Sequence, residues 1–294
     1  MAYIRLLYVV TAGLGYFYES SLDKWKKNAF KVNAEENAIL ERVSKYGIPQ
    51  RDVILNYQDF QVSYDNQKRT PNWVLEHLTK SNLQTMLISK EDTQRFCFHS
   101  DPRINKMFQP DESDYEETGL YPSQLGDKDN HRSTEKSFND TFNYSNTVPQ
   151  NFAWQTSVWD RLETYSRYLT HCYKNVYVLT GPLYQPKKDK LEVEFQVIGR
   201  HHVAVPTHYF KVLICETNED SIFHVGCYIL PNKCDVVRPL HFYRVPLSLL
   251  EDNAGFMLFK DRQSRPVLEI LGDIRDFNAR RLVYMNQAGL MHVN

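Results

Sequence analysis

Apolar positions recur along this chain in two periods. Between residues 53 and 78 they fall in short runs, VILNY (Val53 to Tyr57), FQVSYD (Phe60 to Asp65) and WVLEHL (Trp73 to Leu78), with a turn over 65–69. Runs of that length between breaks predict strands. Asn33 with Glu36 three residues on has the capping-box spacing and predicts a helix through Ile39, Leu40 and Val43 that stops near Gly47 and Pro49. Val158, Trp159, Leu162, Tyr165 and Leu169 share one helical face, which predicts a helix over about residues 156–172. VYVLTG, LEVEFQVIG, HVAVP, HYFKVLIC and IFHVGCYILP follow as β-branched and aromatic runs and predict an antiparallel sheet. From about Glu91 to Gln150 the chain is polar with few strand signals, and loops of such length in compact domains are usually functional or disordered. Strands, a long loop, a helix and strands again make an α+β architecture.

The two ends read differently. Leu6 to Tyr18 is uncharged between Arg5 and Glu19 and falls short of the roughly 20 residues that span a bilayer as a helix. It has the length of a signal-peptide core but no small-x-small cleavage site, and it lacks the Arg and Ser of an organelle presequence. Residues 1–32 are set apart as a targeting or anchoring segment, equally readable as a plain buried stretch, and any membrane association is confined to residues 4–18. Residues 33–258 hold the main domain. Residues 259–294 form a basic amphipathic extension, with Arg275, Arg280 and Arg281 near Leu282, Val283 and Tyr284.

Charge narrows the partners. Lys plus Arg is 35 and Asp plus Glu is 36, a net charge of −1, so a nucleic-acid partner needs a local basic patch rather than the whole-chain field. The five cysteines (97, 172, 215, 227 and 234) are odd in number and lack CxxC spacing, which argues for reduced thiols over a zinc knuckle or a disulfide framework. No glycine-rich phosphate loop, GxSxG, HExxH or EF-hand loop is present. His201, His202 and His208 lie close in sequence, and in a strand His202 and His208 would face one side. Their spacing fits no metal-ligand pattern, so they read as packed or surface histidines.

Several ordered blocks carry a resemblance: KYGIP, SYD followed by PNWVLEHL, NHR (Asn130 to Arg132), DTF (Asp140 to Phe142), SNTVPQ (Ser145 to Gln150), Trp159, RLETYSR (Arg161 to Arg167), NVYVLTGPLY (Asn175 to Tyr184) and VIGRHHVAVPTHYFKVLI. From about Tyr46 to Val245 the chain resembles the DNA/RNA non-specific endonuclease family, in its endonuclease G-like branch. That resemblance implies a ββα-metal (His-Me finger) nuclease-like core on an antiparallel sheet flanked by helices. It also implies a Mg²⁺ cofactor and a histidine base that cut DNA and RNA with little sequence preference. The implied assembly is a homodimer, or a heterodimer with an active relative; the implied placement is mitochondrial, with the nucleus as a second compartment.

Against the family's Asp-Arg-Gly-His tetrad this chain has Tyr121-Pro122-Ser123-Gln124, and all four residues differ. Gln124 stands at the base position and Pro122 at the phosphate-facing arginine. Gln155 stands at the metal-ligand asparagine. Asn146, Glu163 and Arg167 match the residues that, by the resemblance, steady the metal's water shell and the transition-state phosphate. A glutamine amide does not titrate near neutral pH, and losing a general base alone costs about 10²–10⁴ in rate. Pro122 removes a bidentate cation, and Gln155 sets its carbonyl oxygen one methylene further out than Mg²⁺ geometry tolerates well. The sequence therefore predicts a catalytically impaired protein that acts by binding nucleic acid or an active nuclease partner. The alternatives are an active Mg²⁺-dependent endonuclease with a replacement for the histidine, and a structural or regulatory protein whose groove is closed.

Three further residues or segments bear on this. His131, seven residues after Gln124, matches a histidine the active family carries beside its catalytic one and reads as structural. Asp111 to Glu117 (DESDYEE) holds five carboxylates and no cation, which reads as a solvated loop or as a repulsive mouth to the cleft. Glu163 and Arg167 are also spaced as a plain i,i+4 surface pair, worth about 0.3–0.5 kcal/mol.

Overall fold

The computed structural model describes residues 37–271 apart from 40, 48, 86, 90, 152–157, 188–191, 218–221, 234–237 and 260–266. The Asn33 cap, the Leu6 to Tyr18 run and the basic residues after 271 lie outside the described residues. The chain divides into two units, residues 1–50 and 51–294. In the first, residues 37–39 and 41–43 are helical, and Gly47 (φ +93) donates its amide to the Ser44 carbonyl at 2.8 Å. No described helix is long and apolar enough to cross a membrane.

The second unit is built on one large sheet. Its strands are β1 (Asp52–Asn56), β2 (Phe60–Asp65), β3 (Thr70–Leu78), β6 (Val176–Leu183), β9 (His208–Glu216), β10 (Ile222–Pro231) and β11 (Arg244–Val245), hydrogen-bonded in that order and antiparallel throughout. β12 (Val267–Ile270), inside the stretch set apart above as an extension, pairs with β10 in parallel. Alternation along the strands sorts their side chains to two faces. Val62, Tyr64, Val74, Leu78, Val176, Val178, Tyr209 and Leu213 face the larger core. Leu179, Phe210, Val212 and Val225 face a smaller one, closed by Leu250 of the helix Leu247–Ala254.

Asp65 holds the β2–β3 turn. Its Oδ1 accepts from the Gln67 and Lys68 amides at 2.8 and 3.2 Å, and its Oδ2 from Arg51 at 2.8 Å and Lys68 Nζ at 3.2 Å. Desolvation pushes this carboxyl up, but those donors outweigh it and hold the pKa at about 2. The folded value lies below the unfolded one, so its stabilisation is complete above about pH 4 and is lost as pH falls through 2. Arg51 is 56% exposed, which discounts the gain to about 1–2 kcal/mol. Thermal melts of Asp65→Asn should lie below wild type at pH 6 and converge with it near pH 2.

Two expectations differ from the structure. The LEVEFQVIG run does not join the main sheet: only β7 (Val197–Ile198) is a strand, paired with β8 (Val203–Ala204) in a separate ribbon. Val193, Phe195 and Val197 are exposed, and Phe195 meets only the edge of the Tyr184 ring at 4.8 Å among the described ring contacts, so the β-favouring residues gain little burial there. His202 sits in the β7–β8 turn at φ +53, so it shares no strand face with His208, which opens β9. The polar stretch 91–150, in turn, is ordered by non-periodic aromatic packing, with Phe96 on Phe138 (4.8 Å), Phe98 on Phe142 (5.4 Å) and Phe138 on Phe142 (5.3 Å).

Candidate active-site motif on the sheet

Within that stretch β4 (Leu120–Gln124) pairs antiparallel with β5 (Thr147–Asn151), setting Gln124 opposite Thr147 and Pro122 opposite Pro149. The Leu125 amide donates to the Asn146 carbonyl at 2.9 Å, and alternation from that pair puts Pro122 and Pro149 at a non-hydrogen-bonded position, where a missing amide costs no ladder bond. Numbering helices in chain order, α1 is Lys80–Gln84, α2 is Glu135–Asp140 and α3 is Asp160–Leu169. Leu125, Val148, Trp159, Leu162, Tyr165 and Leu169 of the β4–β5–α3 unit pack into the larger core. The apolar stripe of α3 thus fixes its opposite edge, carrying Glu163, beside the ribbon.

Gln124 is half-buried and held: its Nε2 donates to the carbonyl and to the hydroxyl oxygen of Thr141, both at 3.0 Å. Asn146 is fully buried. Its Oδ1 accepts from Gly126 N (2.9 Å), and its Nδ2 donates to the carbonyls of Gly126 (3.0 Å) and Thr141 (2.9 Å). The amide is therefore engaged on backbone at both ends. Pro122 is half-buried, and Gln155 lies outside the described residues.

Arg167 does not pair with Glu163. Its Nη1 binds the carboxylate of Asp127 and donates to Asn130 Oδ1 at 3.2 Å; its Nη2 reaches Thr164 Oγ1 at 3.4 Å. Nε is buried without a hydrogen-bond partner. Asn130 Nδ2 and His131 Nε2 both donate to Glu76 Oε1 on β3, at 2.8 and 2.9 Å. His131 is 2% exposed, with Nε2 on Glu76 and Nδ1 buried without a hydrogen-bond partner. A second buried cation, Lys211 on β9, lies 4.7 Å from the Trp159 ring centroid. A polar seam thus runs between the sheet and the motif.

Electrostatics separates Asp127 from Glu163. At Asp127 desolvation is outweighed by Arg167, and the pKa falls below the ordinary range. At Glu163 desolvation and then repulsion by Asp127 push the pKa well above the ordinary range, against the pull of Lys211 and Arg167. Glu163 is half-buried, and its carboxyl has no hydrogen-bond partner among the described residues. Asp127 and Lys211 were missed from sequence; a lysine inside the apolar run HYFKVLIC was the available signal.

Among the described oxygen donors at the motif, Asn146 is engaged on backbone and Asp127 on Arg167, whereas the Glu163 carboxyl and Glu76 Oε2 have no hydrogen-bond partner among the described residues; Gln155, the family's metal-ligand position, lies outside them. Elsewhere Asp111, Asp114 and His201 bring ligand atoms within 4.8 Å of one another, as a metal ion would require. Here they latch the acidic loop instead. Asp114 accepts from Asp111 N (2.8 Å), His201 N (3.0 Å) and His201 Nδ1 (2.7 Å), and Asp111 pairs with Arg200. The loop is thereby part anchored, with Asp114 fully buried, and part solvated, with Glu112, Glu116 and Glu117 exposed. Gly199 (φ +62) lets the β7–β8 turn touch Asp114, because a Cβ there would overlap the Asp114 Cα and carboxylate. Gly199→Ala should cost about 1–3 kcal/mol in chemical denaturation.

Comparison with known proteins follows the same lines. Residues 41–265 match the sequence model of the family described as DNA/RNA non-specific endonuclease. "Endonuclease G, mitochondrial" of Bos taurus is 36% identical over 220 residues, covering 73% of this chain and 72% of that protein. "Nuclease EXOG, mitochondrial" of Danio rerio is 31% identical over 234 residues, with 78% and 67% covered. A chain from the crystal structure of the EndoG/EndoGI complex superposes with a TM-score of 0.67 at 34% identity, covering 78% of this chain and 95% of that one.

Proposed function

The chain belongs to the DNA/RNA non-specific endonuclease family, in its endonuclease G-like branch, and we propose that within it this protein is a pseudonuclease that works by binding. The observation that carries this is Gln124. At the position the family gives to its base stands an amide, clamped through Nε2 to Thr141 and unable to take a proton from water near pH 7. The committed amide of Asn146 and the committed guanidinium of Arg167 support the same reading. Its partner would be nucleic acid or an active relative, as a homodimer or a heterodimer. Mitochondrial placement is proposed from the relatives whose names carry it.

One observation favours a second reading, an active endonuclease with a new base. The Glu163 carboxyl, raised by desolvation and by Asp127, is the group at the motif shifted toward the pH range where a base is useful.

Cleavage assays, argued in the Discussion, test the impairment; titration of a DNA duplex across a salt series tests the role. A surface tracking phosphates gives a log–log slope of about −0.9 per phosphate contacted. Such a slope is the expected result if nucleic acid is the partner. Absence of binding at low salt, together with a mixed species with an active relative in sedimentation, would assign the partner role instead. Absence of both binding modes would sink the binding reading.

A further inference from the structure

The proposed function accounts for the lost base but leaves the Asp127–Arg167 pair without a role. Both side chains are almost completely buried, at 10% and 6% exposure, and the bond between them is charge-assisted. The pair spans the motif: Asp127 precedes the short helical turn Lys128–Asn130 just after β4, and Arg167 lies forty residues on, in the last turn of α3. Asp127 divides its two oxygens. Oδ1 accepts from the Asp129 amide at 3.0 Å and caps that turn, whereas Oδ2 takes the guanidinium. The cap needs only an oxygen; an asparagine would supply it equally well. What the negative charge adds is the bond to Arg167, and it adds it at a cost, since the same charge repels Glu163.

We propose that Asp127 is a built-in stand-in for a phosphate, a carboxylate that occupies the Arg167 guanidinium and so excludes phosphodiester oxyanions from this part of the motif. The inference rests on the resemblance that counts Arg167 among the residues steadying the metal's water shell and the transition-state phosphate. Two observations support it. Asp127 Oδ2 makes with the guanidinium the charge-assisted bond that a phosphate oxygen would make. The remaining donors of Arg167 point to Asn130 and Thr164 or are buried, which leaves little of the group for a second anion.

The test uses the full chain and inorganic phosphate as the probe. Asp127→Asn keeps the capping oxygen and removes the charge. In calorimetric titration it should bind phosphate at least ~10-fold more tightly than wild type, and adding Arg167→Lys should abolish that gain. A folded Asp127→Asn variant that gains nothing, or a gain that persists with Arg167→Lys, overturns the proposal. Wild-type protein labelled with ¹⁵N at arginine provides the second measurement, independent of any variant. The Arg167 guanidinium resonances should stay unmoved as phosphate is added, and saturable movement would overturn the proposal even if Asp127→Asn did not fold. Cleavage is scored separately: DNA cutting by wild type would defeat the pseudonuclease reading and leave the phosphate result to stand or fall by itself.

Discussion

Purified protein supplied with Mg²⁺ or Mn²⁺ is expected to cut plasmid DNA and single-stranded RNA at least about 10²–10⁴-fold more slowly than an active relative, the range set by loss of the general base alone. The replaced arginine and metal-ligand positions add to that deficit. Gln124→His with Pro122→Arg and Gln155→Asn should recover measurable cleavage, because β4 and β5 already hold positions 122 and 124 in a formed ribbon against α3. Adding Asp127→Asn should raise it further by releasing Arg167. Wild-type cutting that disappears in Glu163→Ala would reject the impairment and turn the question to which group replaces the missing histidine.

The second large effect is on stability, and it has opposite signs at two neighbouring residues of α3. Arg167→Ala leaves Asp127 as a buried, uncompensated carboxylate and should cost about 3–5 kcal/mol in urea denaturation. Glu163→Gln should stabilise the protein at neutral pH. The folded pKa of Glu163 lies above its unfolded value, so the fold binds the extra proton more tightly and loses stability as pH rises between the two. Removing the charge removes that loss, and wild type and variant should converge in acid. Glu163→Gln that destabilises at pH 7 would show that the carboxylate is being held in its charged form by the fold.

Much of this fold was legible because its strands are long and half-buried. Phe60–Asp65 is read from sequence with its observed bounds, β3, β9 and β10 follow their apolar runs closely, and the five apolar positions assigned to one face between Val158 and Leu169 all enter the larger core. β4 was not legible. Leu120–Gln124 is five residues with a proline at its centre, and its pairing comes from β5, more than twenty residues away. Local periodicity cannot report such a partner. The site shows the same division. Family spacing pointed to Gln124, Pro122, Asn146, Glu163 and Arg167, while the bond that holds Arg167 joins it to Asp127 across forty residues. The local spacing suggested Glu163 as the partner of Arg167, and a tertiary contact took its place.

The polar seam also explains which letters of a motif outlast its chemistry. Asn146, Asn130, His131 and Arg167 each tie backbone or buried charge across the junction of sheet and motif, so their loss would unfold the junction whether or not a bond is ever cut there. Of the replaced tetrad, Tyr121, Pro122 and Gln124 sit at least partly open to solvent on the ribbon, while Ser123 is buried between them. The matches at Asn146, Asn130, His131 and Arg167 therefore measure shared architecture, and it is the ribbon and Glu163 that speak to turnover.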